Sequence, residues 1–129
     1  MDQFRFEELK VYQKSLDYID YSLTLTRVFP AFEQFELCSQ FRRVANSISL
    51  NIGDGEGGTP KEFANFLRIS RRSMRECLVC TTLAHRRKYI TDQQNRKSRG
   101  DLTEMSKMIS GLNKSLNIQP KSSKLRTPN

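Results

Sequence analysis

The chain has 129 residues, a net charge of +8 and a pI near 9.7, with 36% hydrophobic and 28% charged residues. That length fits one domain able to bury a core without disulfide or metal staples, and the composition suits an amphipathic helical protein better than a disordered one. No apolar run approaches the ~18 residues that span a bilayer, MDQFRFEELK is too acidic and mixed for a signal or transit peptide, and three cysteines do not close a secreted disulfide framework.

A cytoplasmic protein with reduced thiols is therefore expected. Its basic surface suits polyanions: RNA, DNA or an anionic membrane face.

Apolar spacing divides the chain into four helices. Over about 6–28, Leu9, Tyr12, Leu16, Ile19 and Leu23 recur at steps of three and four, which predicts one buried stripe. Pro30 ends that segment. A second helix is predicted over about 33–52, with Leu37, Phe41, Val44, Ile48 and Ile52 inside, broken by the glycine-rich run Gly53–Gly58.

Thr59-Pro60-Lys61-Glu62 reads as a capping box with proline at the first helical position. It opens a third helix, about 60–88, whose core side runs from Phe63 through Leu67, Met74 and Cys77 to Ala84. The fourth helix starts near Thr91 or Asp92 and runs to about 117, with Leu102, Met105, Ile109, Leu112 and Leu116 on one side. An all-α, antiparallel up-down four-helix bundle over 1–118 is the expected fold. The basic stretch 119–129 has almost nothing apolar and is expected to be disordered.

Charge is distributed unevenly. Residues 1–36 carry four bases and seven acids, whereas 61–88 carry eight bases against Glu62 and Glu76. On the third helix Lys61, Arg68, Arg72, Arg75 and Arg86 fall within about 60° of one another, opposite the core face, and Arg71 flanks them. A merely solvated face mixes signs, because opposite charges at i, i+4 stabilise a helix and like charges do not. An acid-free arginine stripe suits phosphate, which the planar guanidinium fork grips. A contact with an acidic protein face or a neighbouring subunit is the competing reading, and plain solvation the third. No base-reading motif or stacking aromatic array is evident.

Other motifs carry less. The glycine run lacks the Gly-Lys-Ser/Thr and preceding strand of a phosphate loop, and its acids oppose an anion. Cys77-Leu78-Val79-Cys80 has zinc-like spacing but sits mid-helix without a second ligand pair, so packing is the better reading. His85, the single histidine, leaves little material for a metal or nucleophile site. Neither an enzyme nor a cofactor or metal is expected.

Phe6-Glu7-Glu8-Leu9-Lys10-Val11-Tyr12 opens the chain, and Gln40-Phe41-Arg42-Arg43-Val44-Ala45-Asn46-Ser47-Ile48 leads to Asn51-Ile52-Gly53-Asp54-Gly55. Phe66-Leu67-Arg68-Ile69-Ser70-Arg71-Arg72-Ser73 and Lys88-Tyr89-Ile90 follow. This order resembles the four-helix-bundle family of 23S rRNA intervening-sequence proteins, through about Leu116. The Q-x-R-R-A-x-S-I…N-I-A-E-G motif of that family appears in a close variant, with Gly53 and Asp54 replacing Ala and Glu.

The resemblance implies a homopentameric ring and a nucleic-acid-associated role. It extends to the accessory proteins of diversity-generating retroelements, similar bundles that partner a reverse transcriptase. Arg72 and Arg75, where the family often has small or acidic residues, point toward that retroelement type. The matched motif adds Arg42 and Arg43, serving either RNA or pentamer packing. The expected nucleic-acid contacts are thus Arg42, Arg43, Lys61, Arg68, Arg71, Arg72, Arg75, Arg86, Arg87 and Lys88.

Overall fold

A computed structural model describes residues 5–116. The expected tail, 119–129, lies outside the described residues. After a 3₁₀ turn at Arg5–Glu8 come α1 (Lys10–Thr26), α2 (Ser39–Glu56), α3 (Pro60–Arg86) and α4 (Asp92–Leu116), with no strand among the described residues. Each helix packs on its neighbours in sequence, and α1 closes the bundle on α4. The pairings are antiparallel: Ser70 and Ser73 of α3 meet Ile48 and Ser47 of α2, while Lys14 and Tyr18 of α1 meet Asp101 and Ser98 of α4.

The capping box that opens α3 is complete. Glu62 N–H donates to Thr59 Oγ1 at 3.1 Å, and Thr59 N–H donates to Glu62 Oε1 at 2.8 Å. The same device starts α4, where Thr91 and Gln94 exchange equivalent bonds. At the other end α3 closes with Tyr89 N–H on the Ala84 carbonyl and Lys88 N–H on that of His85. Lys88 takes φ of 63° there, in the left-handed position that glycine usually fills.

Three expectations need correction. The first is the buried face of α1: Val11, Ser15, Tyr18, Ser22, Leu25 and Thr26 are inside, about 110° around from the Leu9–Leu23 stripe. Leu16 is 42% exposed, and Leu9, Tyr12, Ile19 and Leu23 are half-buried. Small hydroxyl residues let neighbouring helices approach, and their polar groups are satisfied at home. Ser22 donates to the Ile19 carbonyl at 2.7 Å and Thr26 to that of Ser22 at 2.9 Å.

The second is the end of α2, which runs through Gly53 and Gly55 to Glu56. A Cβ on Gly55 would lie 2.5 Å from Phe66 Cβ, so this glycine serves close packing of α2 on α3 instead of ending the helix. The third is the start of the second helical segment. A 3₁₀ turn, Ala31–Glu33, and a π-helical turn, Gln34–Cys38, precede α2. The extra backbone turn leaves Phe32 and Phe35 outside, Phe35 at 94% exposure, while Leu37 and Cys38 turn inward.

The core otherwise follows the apolar pattern of α2, α3 and α4, from Phe41, Ile48 and Ile52 to Leu67, Met105 and Ile109. At its centre is a hydroxyl triad. Ser98 on α4 bonds Tyr18 of α1 at 2.7 Å and Thr81 of α3 at 2.8 Å, and Thr81 donates onward to the Cys77 carbonyl.

Candidate nucleic-acid interface

The α3 stripe stands at the surface as its spacing predicts. Lys61, Arg68, Arg72, Arg75 and Arg86 are exposed, and only Arg68 is tied down among the described residues, by a 3.0 Å bond to Asn65 of its own helix. Arg71 is different. Its guanidinium reaches across to α4, donating to the Ser106 carbonyl at 2.9 Å and to Ser110 Oγ at 2.6 Å. It is half-buried and its Nε–H is covered without an acceptor among the described residues.

Arg71 forms one wall of an open groove between α3 and α4, of about 380 Å³. Arg75 lies on the same side, and Arg99 and Lys107 of α4 face them. Thr103, Ser106 and Ser110 supply hydroxyls, and Met74, Leu78 and Leu102 make the floor. The lining contains four cations and no carboxylate. Arg99 is braced by Thr82 Oγ1 at 2.7 Å and by Asn95 Oδ1 at 3.0 Å.

Two of the three acids of α4 are drawn away from the groove, while Asp92, at the start of the helix, bonds His85 of α3 at 2.7 Å. Asp101 and Glu104 both contact Lys14 of α1, at 3.5 and 3.1 Å, and Asp101 also takes Lys97 at 3.0 Å. Burial favours the neutral amine of Lys14, but the two carboxylates together outweigh it and hold its pKa above the usual lysine value. The stretch of α4 that lines the groove is thereby left positive.

The remaining sequence-derived candidates are not brought into this groove. Arg42 is a half-buried strut whose Nε–H donates to Thr26 Oγ1 on α1 at 3.0 Å. Arg87 binds the buried carboxylate of Glu33 at 3.0 Å, which also accepts the Tyr89 hydroxyl at 2.7 Å. Both therefore tie elements together within the chain. Arg43 is exposed on the α2 side, beside Phe35, Gln40 and Arg87. Lys88 is exposed at the left-handed turn after α3.

Sequence reasoning missed Arg99 and Lys107. Their signal was present: Arg99, Thr103 and Ser110 each follow an α4 core residue (Ser98, Leu102 and Ile109) by one position, and Lys107 continues the same face four residues after Thr103.

Burial pushes the Cys77 thiol far up and that of Cys80 to about 11, so both pack as small apolar residues. Among the described residues no group of three or more His, Cys, Asp or Glu is placed to hold a metal ion, and no helix is long and apolar enough to cross a membrane.

No curated protein matches the chain. The fold is similar to a crystal structure from Bacteroides thetaiotaomicron VPI-5482, a protein with unknown function from the S23 ribosomal protein family. The two share 27% identity with a TM-score of 0.74, over 81% of this chain and 95% of that one. A model of the 23S rRNA-intervening sequence protein family matches residues 7–111, and the chain belongs to that family.

Proposed function

We propose that this protein is a non-enzymatic, homo-oligomeric nucleic-acid-binding bundle that grips the phosphate backbone along α3 and α4. The observation that carries the reading is the groove itself: Arg71, Arg75, Arg99 and Lys107 around one opening without a carboxylate. Exposed Arg68, Arg72 and Arg86 extend the positive field along the outside of α3. Such a surface neutralises phosphates and releases counterions, and it carries no donor–acceptor pattern for reading bases.

Assembly into a ring, pentameric as the family resemblance implies, would display several such faces together. The half-covered apolar stripe of α1 and the exposed Val28, Phe32 and Phe35 support self-association. The cellular setting that fits is accessory service to a reverse transcriptase in a diversity-generating retroelement, or expression from an rRNA intervening sequence.

A second reading rests on the same exposed aromatics: an oligomeric scaffold whose basic face meets an acidic protein. Fluorescence anisotropy with labelled RNA and DNA separates the two. With about five phosphates engaged, affinity falls on the order of 10²–10³-fold between 50 and 200 mM salt. Replacing Arg68, Arg72 and Arg75 together by Ala reduces the salt slope by about three, and light scattering reports an unchanged oligomer. Absence of binding at low salt, or dissolution of the oligomer by the triple change, would support the scaffold instead.

A further inference from the structure

We infer that the α3–α4 groove takes a single strand of nucleic acid lying along the bundle axis, and not a duplex laid across it. This rests on the nucleic-acid reading above and specifies its ligand.

Three features argue for it. The first is register. Arg71 meets Ser106 and Ser110, Ser106 meets Met74, and Arg99 meets Thr82. That antiparallel alignment sets Arg72 level with Lys107 and Arg86 level with Arg96, and brings Lys114 near the height of Arg68. The cations therefore form two facing rows, one on each helix, closed at the Arg86 end by Asp92, which bonds His85 at 2.7 Å. From Arg68 to Arg86 the rows run about 27 Å at 1.5 Å per residue, the length of roughly eight nucleotides at a stacked rise of about 3.4 Å.

The second feature is width and depth. Packed helices lie about 8–10 Å apart, and the opening between these two reaches down to Met74 and Leu102, which belong to the core. A duplex is a stiff rod much broader than this spacing, with its phosphates on the outside. It would rest on the outer tips of the rows and leave the floor and hydroxyls unused. One sugar-phosphate chain is narrow enough to lie between the rows, with cations on both sides and the hydroxyls of Thr103 and Ser110 and the half-buried Leu78 beneath it.

The third feature is the state of Arg71. Two bonds to α4 fix its guanidinium at the groove wall. A phosphate entering beside Ser110 meets a cation that is already ordered, so little side-chain freedom is lost when the groove is filled. Thr103 and Ser110 lie on its rim, both exposed, so their substitution changes the ligand surface without disturbing the core.

The test uses the full chain with fluorescein-labelled oligo-U and oligo-dT of about twelve nucleotides, and a hairpin duplex of equal phosphate count. The expected result is a preference of about tenfold or more for the single strands, with affinity climbing up to about eight nucleotides and levelling beyond. Thr103→Glu and Ser110→Asp each weaken single-strand binding about tenfold, by placing a carboxylate between the rows. Circular dichroism checks that both variants melt as the parent does.

Equal binding of duplex and single strand, or indifference to both rim carboxylates, overturns the groove assignment and leaves the basic face as a phosphate surface. If none of the probes binds at low salt, the nucleic-acid reading falls with it.

Discussion

Two glycines two residues apart on α2 have opposite consequences when given a methyl group. In an open helix interior, glycine to alanine is worth about 1 kcal/mol in favour of folding, because alanine loses less backbone entropy. Gly53 has the room: an added Cβ would sit 3.5 Å from the Phe6 ring, an ordinary contact. Gly55 does not, since its Cβ would meet Phe66 Cβ at 2.5 Å and the Phe63 ring at 3.1 Å.

The first of those neighbours is the root of a side chain and cannot swing away. Helix α3 must retreat from α2 by about 1 Å, and a gap of that size forfeits a quarter to a half of the dispersion attraction across the interface. Overpacking of this kind costs about 1–3 kcal/mol, which outweighs or cancels the helical gain. Gly53→Ala is therefore expected to stabilise by about 0.5–1 kcal/mol, and Gly55→Ala to destabilise by up to about 2 kcal/mol. Urea unfolding followed at 222 nm, at one fixed protein concentration, measures both. Gly57→Ala, with nothing within 4 Å of the new atom, is the control. A Gly55→Ala protein as stable as Gly53→Ala would refute the close-approach argument.

Lys88 should yield to glycine: Lys88→Gly relieves the left-handed backbone at φ 63° and is expected to raise stability by about 0.5–1 kcal/mol, visible as a higher melting temperature. A lower melting temperature would mean that the lysine side chain holds the turn. The three thiols should be silent in the folded protein. Cys38, Cys77 and Cys80 are all buried, and a thiol pushed up to about 11, as Cys80 is, presents about one thiolate in a thousand molecules at pH 8. A thiol-disulfide reagent should label the native chain only at its rate of opening, and all three cysteines at once in guanidinium. Prompt labelling without denaturant would contradict the packing assignment.

Helices α2, α3 and α4 were legible in the sequence because large aliphatic and aromatic residues mark their inner faces at regular steps. Leu37, Phe41, Val44, Ile48 and Ile52 are all inside, and so are Leu67, Met74, Leu102 and Ile109. Helix α1 misled for a definite reason: its inner face is built partly from Ser15, Ser22 and Thr26, whose hydroxyls bond their own helix. Hydropathy therefore ranked the half-covered Leu9–Leu23 flank above the true core side.

The α3 arginine stripe was visible on a helical wheel. Its pairing with Arg99 and Lys107 was not, because which flank of α4 meets α3 depends on packing that one helix's pattern does not contain. The same holds for Arg42 and Arg87, basic residues in sequence that turn out to hold Thr26 and Glu33.

That dependence on packing traces back to the hydroxyl triad. Apolar helix faces slide and rotate past one another at modest cost, since Leu, Ile and Met repack with small losses. Tyr18, Thr81 and Ser98 do not permit this, because a slip of α4 by one residue swings Ser98 by about 100° and parts it from both partners. Each buried hydroxyl left unpaired costs about 1–3 kcal/mol. Only one rotation of α4 satisfies all three. In that rotation Arg99 reaches Thr82, Asp101 turns to Lys14, and Lys107 comes level with Arg72. The polar centre of the core thereby fixes which charges of α4 face α3 and which face α1, and the acid-free groove is the outward consequence of that inward choice.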